Sequence, residues 1–135
     1  MNIEIDHLGV AVRTIEEGLR FYEQSLGLKL AHCETVPAEQ VRVAMLPLDE
    51  MSAGPRIELL EATNNDSTIA KFLEKRGPGL HHLALRVDDL TAVVERLRAQ
   101  GAHLLNEPRA GAGGHMYVFV HPASTGGVLL ELIQK

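Results

Sequence analysis

Residues 79–90 read GLHHLALRVDDL, an apolar strand-forming run headed by two adjacent histidines. Side chains on a strand alternate between its faces, so His81 and His82 point opposite ways and at most one of them faces a given site. The run has a counterpart near the N-terminus, IDHLGVAV at residues 5–12. The same punctuation follows both. After the first, Thr14 with Glu17 three positions on makes a capping-box pattern, Ile15, Leu19, Tyr22 and Leu26 form a helical apolar stripe, and Gly27 stops it. After the second, Asp88 or Asp89 caps a helix whose stripe is Leu90, Val93, Val94 and Leu97, with Gly101 as the stop.

Each predicted helix is followed by extended segments: LKLAHCETV, VRVAMLPL and RIELLEA in the first half, AHLLNE, HMYVFVHP and GVLLELIQ in the second. Between the halves, DSTIAKFLEKRG reads as a short linking helix begun by Asp66 or Ser67 and ended by Gly77. The chain is therefore an internal duplication of a β-α-β-β-β unit, with an N-terminal module at about 3–63, the linking helix at about 66–77 and a C-terminal module at about 79–135. Aligning the first strands puts His7 opposite His82, 75 positions on. Aligning the last strands puts Glu58 near Glu131, 73 positions on.

Parity then answers the question raised by the double histidine. On the first strand Leu8, Val10 and Val12 form the larger apolar face, while His7 shares its face with the small residues Gly9 and Ala11. On the matching strand Leu83, Leu85 and Val87 go under the helix, which leaves His82 with Ala84 and Arg86 and gives His81 the helix-side parity. Glu58 and Glu131 likewise lie opposite the heavier packing of Ile57 and Leu59, and of Leu130 and Leu132. Two imidazoles and two carboxylates make a mixed N/O donor set for a divalent ion that keeps room for substrate oxygens. A lone strand histidine is usually structural and a lone strand glutamate usually solvated. Here the costly exception, a carboxylate on an apolar strand, occurs twice at equivalent places. His81, His32, His103 and His121 keep the structural or surface reading; Met45 and Met116 read as core or pocket lining; His115 either touches a ligand or caps a loop.

Composition bounds the function classes. A chain of 135 residues with 45% hydrophobic and 23% charged residues suits one soluble globular domain. The single cysteine, Cys33, permits no internal disulfide. No apolar run approaches the ~20 residues needed to cross a bilayer, and the strand pattern starts too early for a signal peptide, so a cytoplasmic protein without membrane association is expected. The formal net charge of -5, with no dense basic cluster, argues against nucleic-acid binding.

The duplicated unit resembles the vicinal oxygen chelate (glyoxalase/bleomycin resistance/extradiol dioxygenase) superfamily and, within it, the methylmalonyl-CoA epimerase family over essentially its full length. The residues that carry the resemblance are IDHLGVAV, IELLEA, the block DSTIAKFLEKRGPGLHHLALRVDDL, the loop PRAGAGG and the ending HPASTGGVLLEL. It implies an α+β fold of two tandem βαβββ modules forming a cup-shaped eight-stranded mixed sheet with a short linking helix, and a homodimer. It places metal ligands on His7, Glu58, His82 and Glu131, with Co²⁺ favoured and Mn²⁺, Ni²⁺ or Zn²⁺ as other candidates. Some relatives have glutamine at the Glu58 position.

The implied reaction is metal-assisted interconversion of (2R)- and (2S)-methylmalonyl-CoA in propionyl-CoA metabolism, by C2 proton abstraction and reprotonation through an enolate. By the same resemblance Glu131 is the catalytic base. Where some relatives carry a second glutamate the aligned residue is Val43, which cannot transfer a proton, so a metal-bound water, Glu58 or another group must act on the second face. The acyl-CoA substrate needs a cationic or amide-rich mouth, for which Lys71, Lys75, Arg76, Arg109 and the GAGG amides are candidates. A glyoxalase I-like lactoylglutathione lyase and a non-catalytic ligand-sequestering module of the same fold are the alternatives.

Overall fold

The computed structural model describes residues 2–135. Among them are eight strands, β1 (Ile3–Ala11), β2 (His32–Val36), β3 (Val41–Pro47), β4 (Arg56–Ala62), β5 (Gly79–Val87), β6 (Arg109–Ala110), β7 (Met116–Val120) and β8 (Leu130–Gln134). The α-helices are α1 (Ile15–Leu19), α2 (Thr68–Arg76) and α3 (Leu90–Ala99). The fold is α+β, and the strands form one mixed sheet in the order β2-β3-β4-β1-β5-β8-β7-β6. Two compact units divide the chain: His7–His81, and the residues up to Asp6 together with His82–Lys135.

In the unit His7–His81, β1 pairs β4 in parallel, and β3 pairs antiparallel with both β2 and β4. One face of these strands meets α1, where Val12, Ile15, Ala44, Leu46 and Leu59 form the core and Val10, Leu19, Tyr22, Leu28, Leu30 and Ile57 pack against it. Thr14 caps α1 as its sequence pattern predicts, its hydroxyl accepting from the Glu17 amide at 3.1 Å. The helix lies close because residue 18 is glycine: a Cβ there would meet Leu59 Cδ1 at 2.7 Å and Val12 Cγ1 at 3.0 Å.

The stripe predicted through Leu26 is broken. Residues Arg20–Ser25 widen into a π-helical turn, in which Leu26 N–H donates to the Phe21 carbonyl five residues back at 2.8 Å. The extra residue per turn rotates Leu26 outward, leaving it 55% exposed. Leu28 joins the core instead. The extended segment expected from residue 28 pairs as a strand only from His32. Of the two candidate caps of α2, the buried Ser67 serves, accepting from Ala70 N–H at 3.0 Å.

The other unit repeats the arrangement. β5 pairs β8 in parallel, and β7 pairs antiparallel with β8 and β6. Val87, Leu90, Val94, Val118, Val120 and Leu132 form the core under α3, with Leu85, Val93, Leu97, Leu104 and Leu130 around it. Asp89, rather than Asp88, caps the helix by accepting from Ala92 N–H at 3.1 Å. The segment AHLLNE is not a strand: only Leu104 bridges to Val120, and regular pairing resumes at Arg109. The side chain of Asn106 takes the place of the backbone ladder there, its Oδ1 accepting from Phe119 N–H at 2.8 Å and its Nδ2 donating to the Tyr117 carbonyl at 3.3 Å. Among the described residues, no helix is long and apolar enough to cross a membrane.

A further correspondence joins the two halves. The first amide of α1, on Ile15, donates to Glu61 of β4 at 2.7 Å, and the first amide of α3, on Leu90, donates to Gln134 of β8 at 2.6 Å. Each helix start, which has no intrahelical acceptor, is thus satisfied by the last strand of its own unit. Glu61 and Gln134 are separated by the same interval as Glu58 and Glu131. Replacing Glu61 or Gln134 by alanine is expected to cost about 1–3 kcal/mol by stranding a helix-terminal amide, and Gly18→Ala a similar ~1–3 kcal/mol by overpacking. Urea denaturation of the three variants checks both values.

Candidate metal and active site

Strand register fixes which side chains share a face, because directly paired residues point to the same side. In the unit His7–His81, His7 pairs with Arg56, Gly9 with Glu58 and Ala11 with Leu60. Across β3, Met45 pairs with Glu58 and Val43 with Leu60. His7, Arg56, Glu58, Val43 and Met45 therefore lie on the face opposite α1. The predicted parity of the first strand holds, with Val10 and Val12 at the helical core and Gly9 and Ala11 beside the histidine.

The second unit shows the same order. Ala84 pairs with Glu131 and Arg86 with Ile133, while Phe119 pairs with Glu131 and Tyr117 with Ile133 on the other side. His82 shares this face with Ala84 and lies edge-on to the Phe119 ring at 5.4 Å. His81, of opposite parity, meets Phe72 of α2 edge-on at 5.0 Å. The doubled histidine is thereby divided between a packing residue and a residue of the polar face.

All four predicted ligands are buried: His7 at 3% exposure, Glu58 at 4%, His82 at 6% and Glu131 at 8%. Each unit brings its own pair together. Nδ1 of His7 lies 3.3 Å from Oε2 of Glu58, and Nε2 of His82 lies 3.1 Å from Oε1 of Glu131. Carboxylates so far from water are tolerated only with partners, and among the described residues no buried side-chain nitrogen or oxygen lacks a hydrogen-bond partner. An imidazole nitrogen and a carboxylate oxygen at this separation can share a proton or serve as neighbouring donors to a cation.

Three polar contacts escaped the sequence reading. Arg56 donates to Oε2 of Glu58 from Nε at 2.8 Å and approaches it from Nη2 at 2.6 Å. Alternation gave the signal, since residues 56 and 58 share a face. Asp6, 3% exposed, pairs with Nζ of Lys135 at 2.9 Å, a contact across almost the whole chain length that no local pattern announces. Arg86 pairs with Glu4; the hydrogen bond it donates to that carboxylate raises the guanidinium pKa above its ordinary value against the opposing effect of burial.

The other residues singled out in the sequence lie as follows. Val43 is buried and Met45 half-buried on the face of Glu58, while Met116 is 41% exposed. His32 contacts Glu34 at the surface, and His103 and His121 stack on each other at 4.9 Å. Lys71, Lys75 and Arg76 are exposed on α2. Arg109 donates from Nε to the Tyr117 hydroxyl at 2.9 Å, next to the glycine turn in which Gly113 and Gly114 take positive φ. His115 is half-buried at the end of that turn.

Comparison with known proteins agrees with this duplicated arrangement. Residues 6–119 match the model of the glyoxalase/bleomycin resistance protein/dioxygenase superfamily. The chain is 34% identical to mitochondrial methylmalonyl-CoA epimerase of Homo sapiens over 96% of its own length and 73% of that protein. It is similar to the crystal structure of methylmalonyl-CoA epimerase from Mycobacterium tuberculosis at a TM-score of 0.90 and 39% identity, covering 97% of this chain and 87% of that one. A variant of Streptomyces coelicolor methylmalonyl-CoA epimerase in complex with 2-nitronate-propionyl-CoA matches at a TM-score of 0.91 and 35% identity, covering 98% and 96%. Two βαβββ repeats, a buried histidine–glutamate pair in each, and relatives of this kind along almost the whole chain lead to one assignment: the protein belongs to the glyoxalase/bleomycin resistance protein/dioxygenase superfamily.

Proposed function

We propose that the chain is a methylmalonyl-CoA epimerase, interconverting the 2R and 2S thioesters by removing the C2 proton and returning it to the opposite face. The observation that carries this reading is the likeness, at 39% identity over 97% of the chain, to a solved methylmalonyl-CoA epimerase. The buried pairs His7–Glu58 and His82–Glu131 support it, because the reaction needs a fixed positive charge and a carboxylate base.

The donor chemistry suits a divalent ion. Two imidazoles and two carboxylates are borderline-to-hard ligands appropriate to Co²⁺, and to Mn²⁺, Ni²⁺ or Zn²⁺. Gly9 and Ala11 follow His7 on its face, and Ala84 follows His82, so small side chains lie on the C-terminal side of each ring. His7, Glu58, His82 and Glu131 would hold the ion. When bound, it would oppose the negative charge that builds on the thioester oxygen as the C2 proton leaves.

The protein's own groups do the rest. Glu131 takes the C2 proton, with the apolar Phe119 opposite it and Ile133 beyond it on the same face. Val43, buried beside Leu60, carries no transferable proton. Return to the second face therefore falls to Glu58 or to a group that the sequence does not single out. Val43, Met45 and Leu60 wall the Glu58 side with apolar surface, which keeps water from a carbanionic intermediate. Arg109, Lys71, Lys75, Arg76 and the amides of residues 111–114 are the groups with charge or donors to meet the CoA phosphates. A cytoplasmic homodimer completes the reading.

In D₂O the metal-loaded enzyme is expected to place deuterium at C2 of methylmalonyl-CoA, and chelation with EDTA to stop it. Glu131→Gln should slow the exchange by roughly 10²–10⁴-fold, the usual contribution of a positioned base. Both are read by mass spectrometry of the recovered thioester. Exchange that survives chelation or the Glu131 change, or turnover of the methylglyoxal–glutathione hemithioacetal instead, contradicts the proposal.

A further inference from the structure

One difference between the two halves on the polar face bears on a predicted ligand. Two positions before Glu58 stands Arg56, whose Nε and Nη2 both lie on the same oxygen, Oε2, at 2.8 and 2.6 Å. Two positions before Glu131, at the matching place in the repeat, stands Leu129, which carries no charge. The duplication thus places a fixed cation against one carboxylate and an apolar residue in front of the other.

From this contact we propose that Arg56 is a positioning residue that orients Glu58 toward the ion. The proposal rests on the metal-dependent reading above. A guanidinium never loses its charge in a protein, and a two-nitrogen grip on one oxygen fixes the direction of the carboxylate as well as neutralising it. Its side chain is 17% exposed, so solvent screens the pair little. Arg56 also pairs in register with His7, which places its stem beside the second ligand of the same half. With Oε2 gripped by the guanidinium and approached by His7 Nδ1 at 3.3 Å, the proposal gives the ion the other oxygen, Oε1.

Groups that orient metal ligands typically contribute 10–100-fold in affinity. The experiment is titration of metal-free protein with CoCl₂, by calorimetry and by the visible absorption of bound Co²⁺, for the wild type, Arg56→Met and Arg56→Lys. Arg56→Met is expected to weaken Co²⁺ binding by about 10–100-fold and to alter the visible band. Arg56→Lys, which restores charge but not the two-nitrogen grip, should fall between. Thermal unfolding of the metal-free variants separates loss of fold from loss of orientation, and if Arg56→Met does not fold, the Arg56→Lys spectrum decides. Wild type and folded Arg56 variants that bind Co²⁺ with equal affinity and superimposable spectra overturn the role of Arg56 and leave the metal reading intact. Tighter binding without the guanidinium also overturns it, since Arg56 would then compete with the ion. A wild type that binds no Co²⁺ instead sinks the metal reading on which the proposal stands.

Discussion

The constraint on which the rest depends is the burial of a carboxylate beside an imidazole on the polar face of a strand, made once in each half. An ionised carboxylate cannot leave water without compensation. Glu58 has His7 and Arg56, and Glu131 has His82. The opposite faces of the same strands supply the two apolar cores, with Leu59 and Leu132, each next in sequence to its glutamate, at their centres. A one-residue slip of β4 or β8 would put the carboxylate into the core and the leucine on the polar face, so the position of the pair and the integrity of the core are set by the same register.

Duplication explains how a short chain supports this twice. Helix caps Thr14 and Asp89, terminal-amide acceptors Glu61 and Gln134, and the histidine–glutamate pairs all recur at near-constant intervals. What recurs is the scaffold. Arg56 and Leu129 break the repeat two positions before each glutamate, and this is where the proposed orientation of Glu58 by a guanidinium enters.

Much of this was legible from residue order because the deciding signals are local. Capping residues, glycine stops and strand parity each act over a few positions, and His7, Gly9 and Ala11 could be assigned to one face without knowing any partner strand. The misreadings have physical causes that periodicity does not carry. Leu26 left the predicted stripe because one turn widened to π geometry. Residues 102–107 follow β7 without becoming a strand because the Asn106 side chain substitutes for the ladder. Asp6–Lys135 joins the two ends of the chain, beyond the reach of any local pattern. Arg56 was within reach of the parity argument, but an arginine near a loop reads as a solvated charge until its carboxylate partner is seen.

The proposed function needs His7 and His82 on one ion. Metal analysis of purified protein, loaded with Co²⁺ and freed of excess, tests it most directly when wild type is set beside His7→Ala and His82→Ala. The account predicts one ion per chain in the wild type and its loss from each variant. Two ions per chain, or full retention after either histidine is removed, would mean that the pairs act separately and would contradict it.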